Sequence, residues 1–137
     1  MASTGVRFDL PTPDCESQPF WDGLREGKLL IQRCLDCKGS FFYARPFCPV
    51  CWSDRVEWFA ASGKGTLYTF SVVFSNDLPP FGERVPYIAA VVDLEEGPRI
   101  QTNVVDCEFD ALAVDMAVEV VFQPISDEIT IPVFRPA

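Results

Sequence analysis

Hydrophobic and polar positions along this chain follow two different patterns. In SQPFWDGLREGK, residues 17–28, Phe20, Trp21 and Leu24 share one face at helical spacing. Ser17 suits the N-cap, Pro19 the first turn and Gly27 the stop, so a short helix is predicted, its aromatic face packing against the next segment of the chain. Short apolar runs at 29–31, 41–43 and 56–61 then read as a ribbon of brief strands. From Ser62 the chain is all β. SGKG is a turn, and in TLYTFSVVF the set Tyr68, Phe70, Val72 and Phe74 alternates with Leu67, Thr69, Ser71 and Val73, as a half-buried strand requires. PYIAAVVDL, RIQTNVV, AVEVVF and ITIPVF add four more strands. Five strands are the count of a small Greek-key barrel of the OB type, whereas a sandwich needs about seven. The segment SNDLPPFGERVP, between the first two barrel strands, is rich in turn formers and is expected to be a mobile or partner-binding loop.

The expected fold is therefore mainly β: an N-terminal arm and helix over 1–28, a metal-type ribbon over 29–61 and a five-stranded OB-type barrel over 62–137. With 137 residues, 48% of them hydrophobic, the chain can bury a real core. Its first twenty residues include Asp9, Asp14 and Glu16 and no apolar run of seven, so neither a signal peptide nor a membrane span is expected, and the reading is cytoplasmic. In a reducing cytosol disulfides rarely persist. Cys15 and Cys107 have no partner at motif spacing and are expected to be buried small hydrophobes.

The other four cysteines form the sharpest motif. Cys34, Cys37, Cys48 and Cys51 are spaced C-x2-C-x10-C-x2-C, which lets four thiolates converge on one tetrahedral centre at roughly 2.3 Å each. Structural zinc fits this best; rubredoxin-type iron takes the same ligands, and a redox pair would leave one C-x-x-C unexplained. With all four positions filled by protein, no place remains for substrate or an activated water. The metal should be a staple.

Charge changes the picture next. The formal net charge is −9, and it is unevenly spread: residues 1–74 hold eight acidic and eight basic groups, whereas 75–137 hold twelve acidic groups against Arg84, Arg99 and Arg135. Nucleic-acid binding depends on neutralising phosphates, so a zinc-ribbon and OB nucleic-acid module is disfavoured. Autonomous catalysis is disfavoured too. The chain has no histidine, which removes Ser-His, Cys-His and His-metal mechanisms, and no phosphate-cradling or nucleophile-elbow motif is present. Glu95 and Glu96, beside Gly97, are expected to be a solvated turn.

Taken in order, PFWDGLREGKLLIQRC, CxxC-x10-CPVC, SGKGTLYTFSVV, PYIAAVVDLEEGPRIQTN, AVEVVF and PVFRP resemble a family of acyl-CoA-associated proteins, long catalogued as a domain of unknown function. These proteins join a rubredoxin-like zinc ribbon to an OB fold. The resemblance covers about residues 18–136. It implies an accessory subunit that assembles with thiolase-superfamily enzymes, including thiolases and lipid-transfer-protein-like aldolases of steroid side-chain degradation, and that stabilises or completes their acyl-CoA site. A stand-alone acyl-CoA carrier is the alternative. The family's metal ligands fall on Cys34, Cys37, Cys48 and Cys51, and its segment near CoA and partner falls on the helix bearing Phe20, Trp21 and Arg25. One departure is Asp115 before Met116, where the family commonly has glycine, and the acidity of CEFDALAVD with it.

Since CoA carries several phosphate charges, its nucleotide end is expected against the charge-balanced ribbon and helix, near Arg25, Lys28, Arg45 or Lys64, or on the partner enzyme. The barrel would then give apolar walls to pantetheine and acyl chain, with Phe74, Phe81 and Tyr87 as candidates.

Overall fold

A computed structural model describes residues 7–137. Helix α1 (Gln18–Arg25) precedes a three-stranded antiparallel ribbon of β1 (Leu30–Cys34), β2 (Ser40–Phe41) and β3 (Val56–Ala60), in the order β2-β1-β3. Five strands come after it: β4 (Lys64–Val73), β5 (Tyr87–Leu94), β6 (Arg99–Val104), β7 (Ala117–Pro124) and β8 (Thr130–Pro136). They close into a barrel of order β4-β5-β6-β8-β7, with β4 pairing β7. All neighbours are antiparallel except β6 and β8, which run parallel and meet at Val104 and Phe134.

One apolar cluster runs through both halves. Phe20 and Leu24 of α1 and Leu29 and Ile31 of the ribbon are buried in the same core as Leu67, Val92, Ile100, Val118 and Phe134 of the barrel. Each such side chain contributes about 1.5–3 kcal/mol on burial, so ribbon and barrel stabilise one another through α1. The helix stops as expected: Gly27 takes φ 77°, and Gly27 and Lys28 donate to the carbonyls of Leu24 and Gly23 at 3.1 and 2.8 Å, capping the last turn. Its start differs. The side chain of Ser17 does not cap the helix; its Oγ accepts from the Asp14 amide at 3.1 Å, while Asp14 Oδ1 accepts from the Ser17 amide at 2.7 Å, a closed turn that fixes the entry.

The alternation expected in the first barrel strand breaks at Tyr68. Leu67 stands opposite Val92 and Thr69 opposite Val91, so Tyr68 is the extra residue of a β-bulge. The bulge changes which parity faces inward: Leu67 is buried before it, and Phe70 and Val72 pack on the core after it. Tyr68 is turned out beneath the Arg99 guanidinium, 3.6 Å from its ring centre, and Phe74 lies exposed just past the strand.

The segment expected to be mobile or partner-binding is bonded by the arm. Asp9 accepts from Arg7 and from Arg84, each at 2.8 Å; the Phe8 amide donates to Pro79 O at 3.1 Å, and Arg7 Nη2 to Ile125 O at 3.1 Å. The arm thereby clips the β4–β5 loop to the β7–β8 turn. Neither leftover cysteine is a buried hydrophobe: Cys15 is exposed in the turn before α1, and Cys107 is half-buried, its thiol 3.3 Å from Glu108 O. Glu95 and Glu96 also do more than face water, since Ser62 donates from Oγ to Glu95 at 2.9 Å and from its amide to Glu96 at 2.8 Å. Among the described residues no helix is long and apolar enough to cross a membrane.

Candidate functional site

Cys34 ends β1, and the two C-x-x-C turns of the ribbon share one backbone design. Lys38 and Trp52, each just past the second cysteine of its pair, take φ of 67° and 66° and donate to the carbonyls of Cys34 and Cys48, both at 3.0 Å. The Cys34 and Cys48 amides donate to Gly39 O and Ser53 O at 2.9 and 2.8 Å. Each turn also aims an amide at sulfur: Cys37 N lies 3.4 Å from Cys34 Sγ, and Val50 N 3.4 Å from Cys48 Sγ.

The four sulfurs lie within 4.8 Å of one another, with 3.5 Å between Cys34 and Cys51 and 3.6 Å between Cys37 and Cys48. A tetrahedron with metal–sulfur bonds of roughly 2.3 Å has edges of about 3.8 Å, close to the two shortest sulfur separations, so the set suits a tetrahedral zinc. Its electrostatics fit as well. The Cys37 amide pulls the Cys34 thiol down to about 6, and the Cys51 amide lowers Cys48. Cys51, although favoured as thiolate by the Ser53 amide, is pushed up to about 12 by the thiols packed against it, Cys34 first. Four thiolates this close repel unless a cation sits among them. Bound there, zinc would stiffen the ribbon and offer no open position for chemistry.

Two polar clamps position what surrounds the metal turns. Asp36 accepts from Ser53 Oγ and from Arg55 at 2.5 Å, which joins the first turn to the second. Gln32, buried in β1, donates to Arg45 O at 2.9 Å and accepts from Arg45 N at 2.8 Å. That reciprocal pair holds the 42–45 loop over the barrel.

Under this loop lies a cavity of about 370 Å³. On its barrel side β6 and β8 share a single ladder bridge, at Val104 and Phe134, and Thr102 Oγ1 donates to Pro132 O at 2.8 Å between them. Ile100 to Asn103, Ile131 and Pro132 line the barrel side, and Phe20, Trp21, Phe42 and Tyr43 form the opposite wall. Those four aromatics stack edge to face in series, with ring centres 4.9, 5.4 and 5.2 Å apart. A second hollow of about 600 Å³ shares Asn103 and Ile131 with the first and is lined by Phe81, Arg84 and Tyr87. Tyr87 Oη accepts from Asn76 Nδ2 at 2.9 Å, which orients the ring.

The sequence candidates thus separate. Phe20 and Trp21 line the first cavity, Phe81 and Tyr87 the second, and Arg25 a third hollow of about 420 Å³ on the other side of Trp21, beside Asp22 and Glu128. Lys28, Arg45, Lys64 and Phe74 line none of these. Charge pairing is informative: Arg7, Arg33, Arg55, Arg84, Arg99 and Arg135 are all in ion pairs, while among the described residues none involves Arg25, Lys28, Lys38, Arg45 or Lys64. Sequence reasoning missed Phe42, Tyr43 and the β6–β8 cleft. The apolar run continuing past the two-residue β2 was the available signal for the first two.

Comparison with known proteins finds the same two modules, with their boundary inside β3. A family model of the ChsH2 rubredoxin-like zinc ribbon domain matches residues 21–57, and one of the ChsH2 C-terminal OB-fold domain matches 58–123. A DUF35 domain-containing scaffold protein of Methanocaldococcus jannaschii is 37% identical over 110 residues, covering 79% of this chain and 77% of that protein. A probable enoyl-CoA hydratase alpha subunit of Thermomonospora curvata is 36% identical over 86% of this chain, and the chain spans only 37% of that longer protein. The benzoylsuccinyl-CoA thiolase subunit BbsA of Geobacter metallireducens is 33% identical over 68% of this chain and 60% of its own length. Among solved structures, the Ltp2-ChsH2(DUF35) aldolase matches with a TM-score of 0.83 at 32% identity, covering 93% of this chain and 98% of the matched one.

Proposed function

The chain belongs to the DUF35 family of ChsH2-type zinc-ribbon and OB-fold proteins, and from that premise we propose that it is an accessory subunit of a thiolase-superfamily enzyme, a thiolase or an aldolase, whose acyl-CoA site it completes. One observation carries this reading: an aromatic-walled cleft between ribbon and barrel, held by the zinc turns and α1, with no histidine, cysteine or carboxylate among its lining residues. Carbon–carbon bond making and breaking at a thioester needs a general base or an activated nucleophile, and a chain without histidine leaves them to its partner.

In this reading the cleft receives pantetheine or acyl chain along Phe20, Trp21, Phe42 and Tyr43. Arg25, Lys28 and Arg45, three of the five cations that hold no ion pair among the described residues, are offered to the nucleotide phosphates, together with those of the enzyme. Lys64 fits less well, because β4 pairs it opposite the carboxylate-bearing Glu119. Relatives in thiolase and aldolase assemblies support the choice of partner, and the steroid-derived substrate is the finer part of the proposal. A nucleic-acid role is not favoured: Arg84, Arg99 and Arg135 of the acidic half are each bound to an internal carboxylate.

Calorimetric titration of an acyl-CoA into the chain alone, and into the complex purified after co-expression with a thiolase-superfamily enzyme from the same organism, tests it. Binding by the complex that Trp21→Ala weakens about tenfold supports the reading. Equal binding by the isolated chain would instead make it a free carrier.

A further inference from the structure

The structure also points to an interaction surface formed by two barrel residues that line neither the cleft nor the metal site. Phe74, just past β4, and Phe109, in the short 3-10 turn Phe109–Ala111, meet edge to face with ring centres 6.5 Å apart, and are exposed by 71% and 41%. Two large rings meeting in the open are not core packing. Their charged neighbours along the chain are of one sign. Glu108 and Asp110 flank Phe109, Asp106 precedes them, Asp77 lies three residues past Phe74, and all four are acidic and outside the core. No lysine or arginine lies between residues 100 and 134, and all three arginines of the barrel half are held by Asp9, Asp93 and Glu119. Among the described residues, nothing internal neutralises this rim.

We propose that the Phe74–Phe109 face docks a partner protein presenting an apolar socket ringed by lysine and arginine. Charge selects this occupant. A second copy of the chain would bring an identical negative rim against the first, and an anionic lipid surface would be repelled in the same way. A basic-rimmed protein face gains attraction at the edge and buries both rings at the centre, as interface hot spots do. On the ribbon, exposed Trp52 stacks at 5.1 Å on the half-buried Phe47, and its sequence neighbours are of mixed charge, Asp36, Lys38, Asp54 and Arg55, so this pair carries no such selectivity.

The identity of the partner as the thiolase-like enzyme rests on the accessory-subunit reading; the chemistry of the face does not. The test uses the co-expressed complex, dissociated and re-titrated by calorimetry or interferometry at 50 and 500 mM NaCl. Phe109→Ala and Phe74→Ala, both at exposed sites and checked by thermal melting, should weaken association at least tenfold. Glu108→Gln with Asp110→Asn should flatten the salt dependence shown by the wild type. Wild-type affinity for all these variants, with Trp52→Ala disruptive instead, would overturn the face while leaving the accessory-subunit reading intact. Failure of the wild-type chain to associate with the enzyme would overturn that reading and the partner assignment together.

Discussion

Lys38 and Trp52 stand fourteen residues apart in the same left-handed conformation, each donating its amide at 3.0 Å to the carbonyl of the first cysteine of its own pair. Neither is glycine, so each metal turn holds a backbone geometry that costs roughly 1–2 kcal/mol at an L-residue. Lys38→Gly should therefore raise the melting temperature of the zinc-loaded protein slightly, and Lys38→Val should lower it by the equivalent of about 1 kcal/mol or more, both read by thermal denaturation.

The metal prediction separates four cysteines from two. Cys48→Ala should abolish stoichiometric zinc and melt the ribbon, because a structural site couples binding directly to folding. Cys15→Ala and Cys107→Ala should retain one zinc per chain. Elemental analysis with circular dichroism checks both.

Barrel closure makes Gly65 irreplaceable by anything with a side chain. A Cβ built there would lie 2.5 Å from the backbone oxygen of Asp93, on the neighbouring strand β5. Gly65→Ala should cost about 2–3 kcal/mol in denaturant unfolding, since a backbone oxygen, unlike a flexible side chain, moves only with its strand.

The arm gives a pH dependence. Hydrogen bonding to Arg7 first, then to Arg84, holds Asp9 down to about 2 from its ordinary 3.8, and its side chain is only 4% exposed. A carboxylate depressed on folding stabilises the protein fully above its unfolded value and loses that contribution as pH falls through the folded one. Stability should thus drop by about 1–2 kcal/mol between pH 5 and 2 through this group. Asp9→Asn should remove that portion of the acid sensitivity and lower stability at pH 7, as measured by urea unfolding across the range.

What sequence could disclose was set by how local each signal is. The helix, the metal turns and the five barrel strands were legible because periodicity and C-x-x-C spacing act within a few residues. The place of Tyr68 was not, because a bulge depends on the partner strand: nothing in TLYTFSVVF says that Leu67 and Thr69 will face adjacent residues of β5. The loop at 75–86 reads as mobile from its composition because its anchor, Asp9, lies 75 residues away from Arg84. For Cys15 residue type alone points the wrong way on burial, whereas Cys107 packs half-buried against the core. The cleft is invisible in the sequence for a similar reason, since its walls come from α1, the loop after β2, β6 and β8, which lie far apart along the chain. Phe20 and Trp21 stand out from their helical face, but what that face covers required the fold.

The most direct measurement is thioester turnover by the isolated chain, by the thiolase-like enzyme alone and by their purified complex, with the mass of each determined in the same preparation. The account predicts a hetero-oligomer that is active, an isolated chain that is zinc-loaded and inert, and an enzyme whose acyl-CoA affinity or rate falls at least tenfold without its subunit. A chain that cleaves an acyl-CoA by itself, or an enzyme indifferent to its presence, would contradict it.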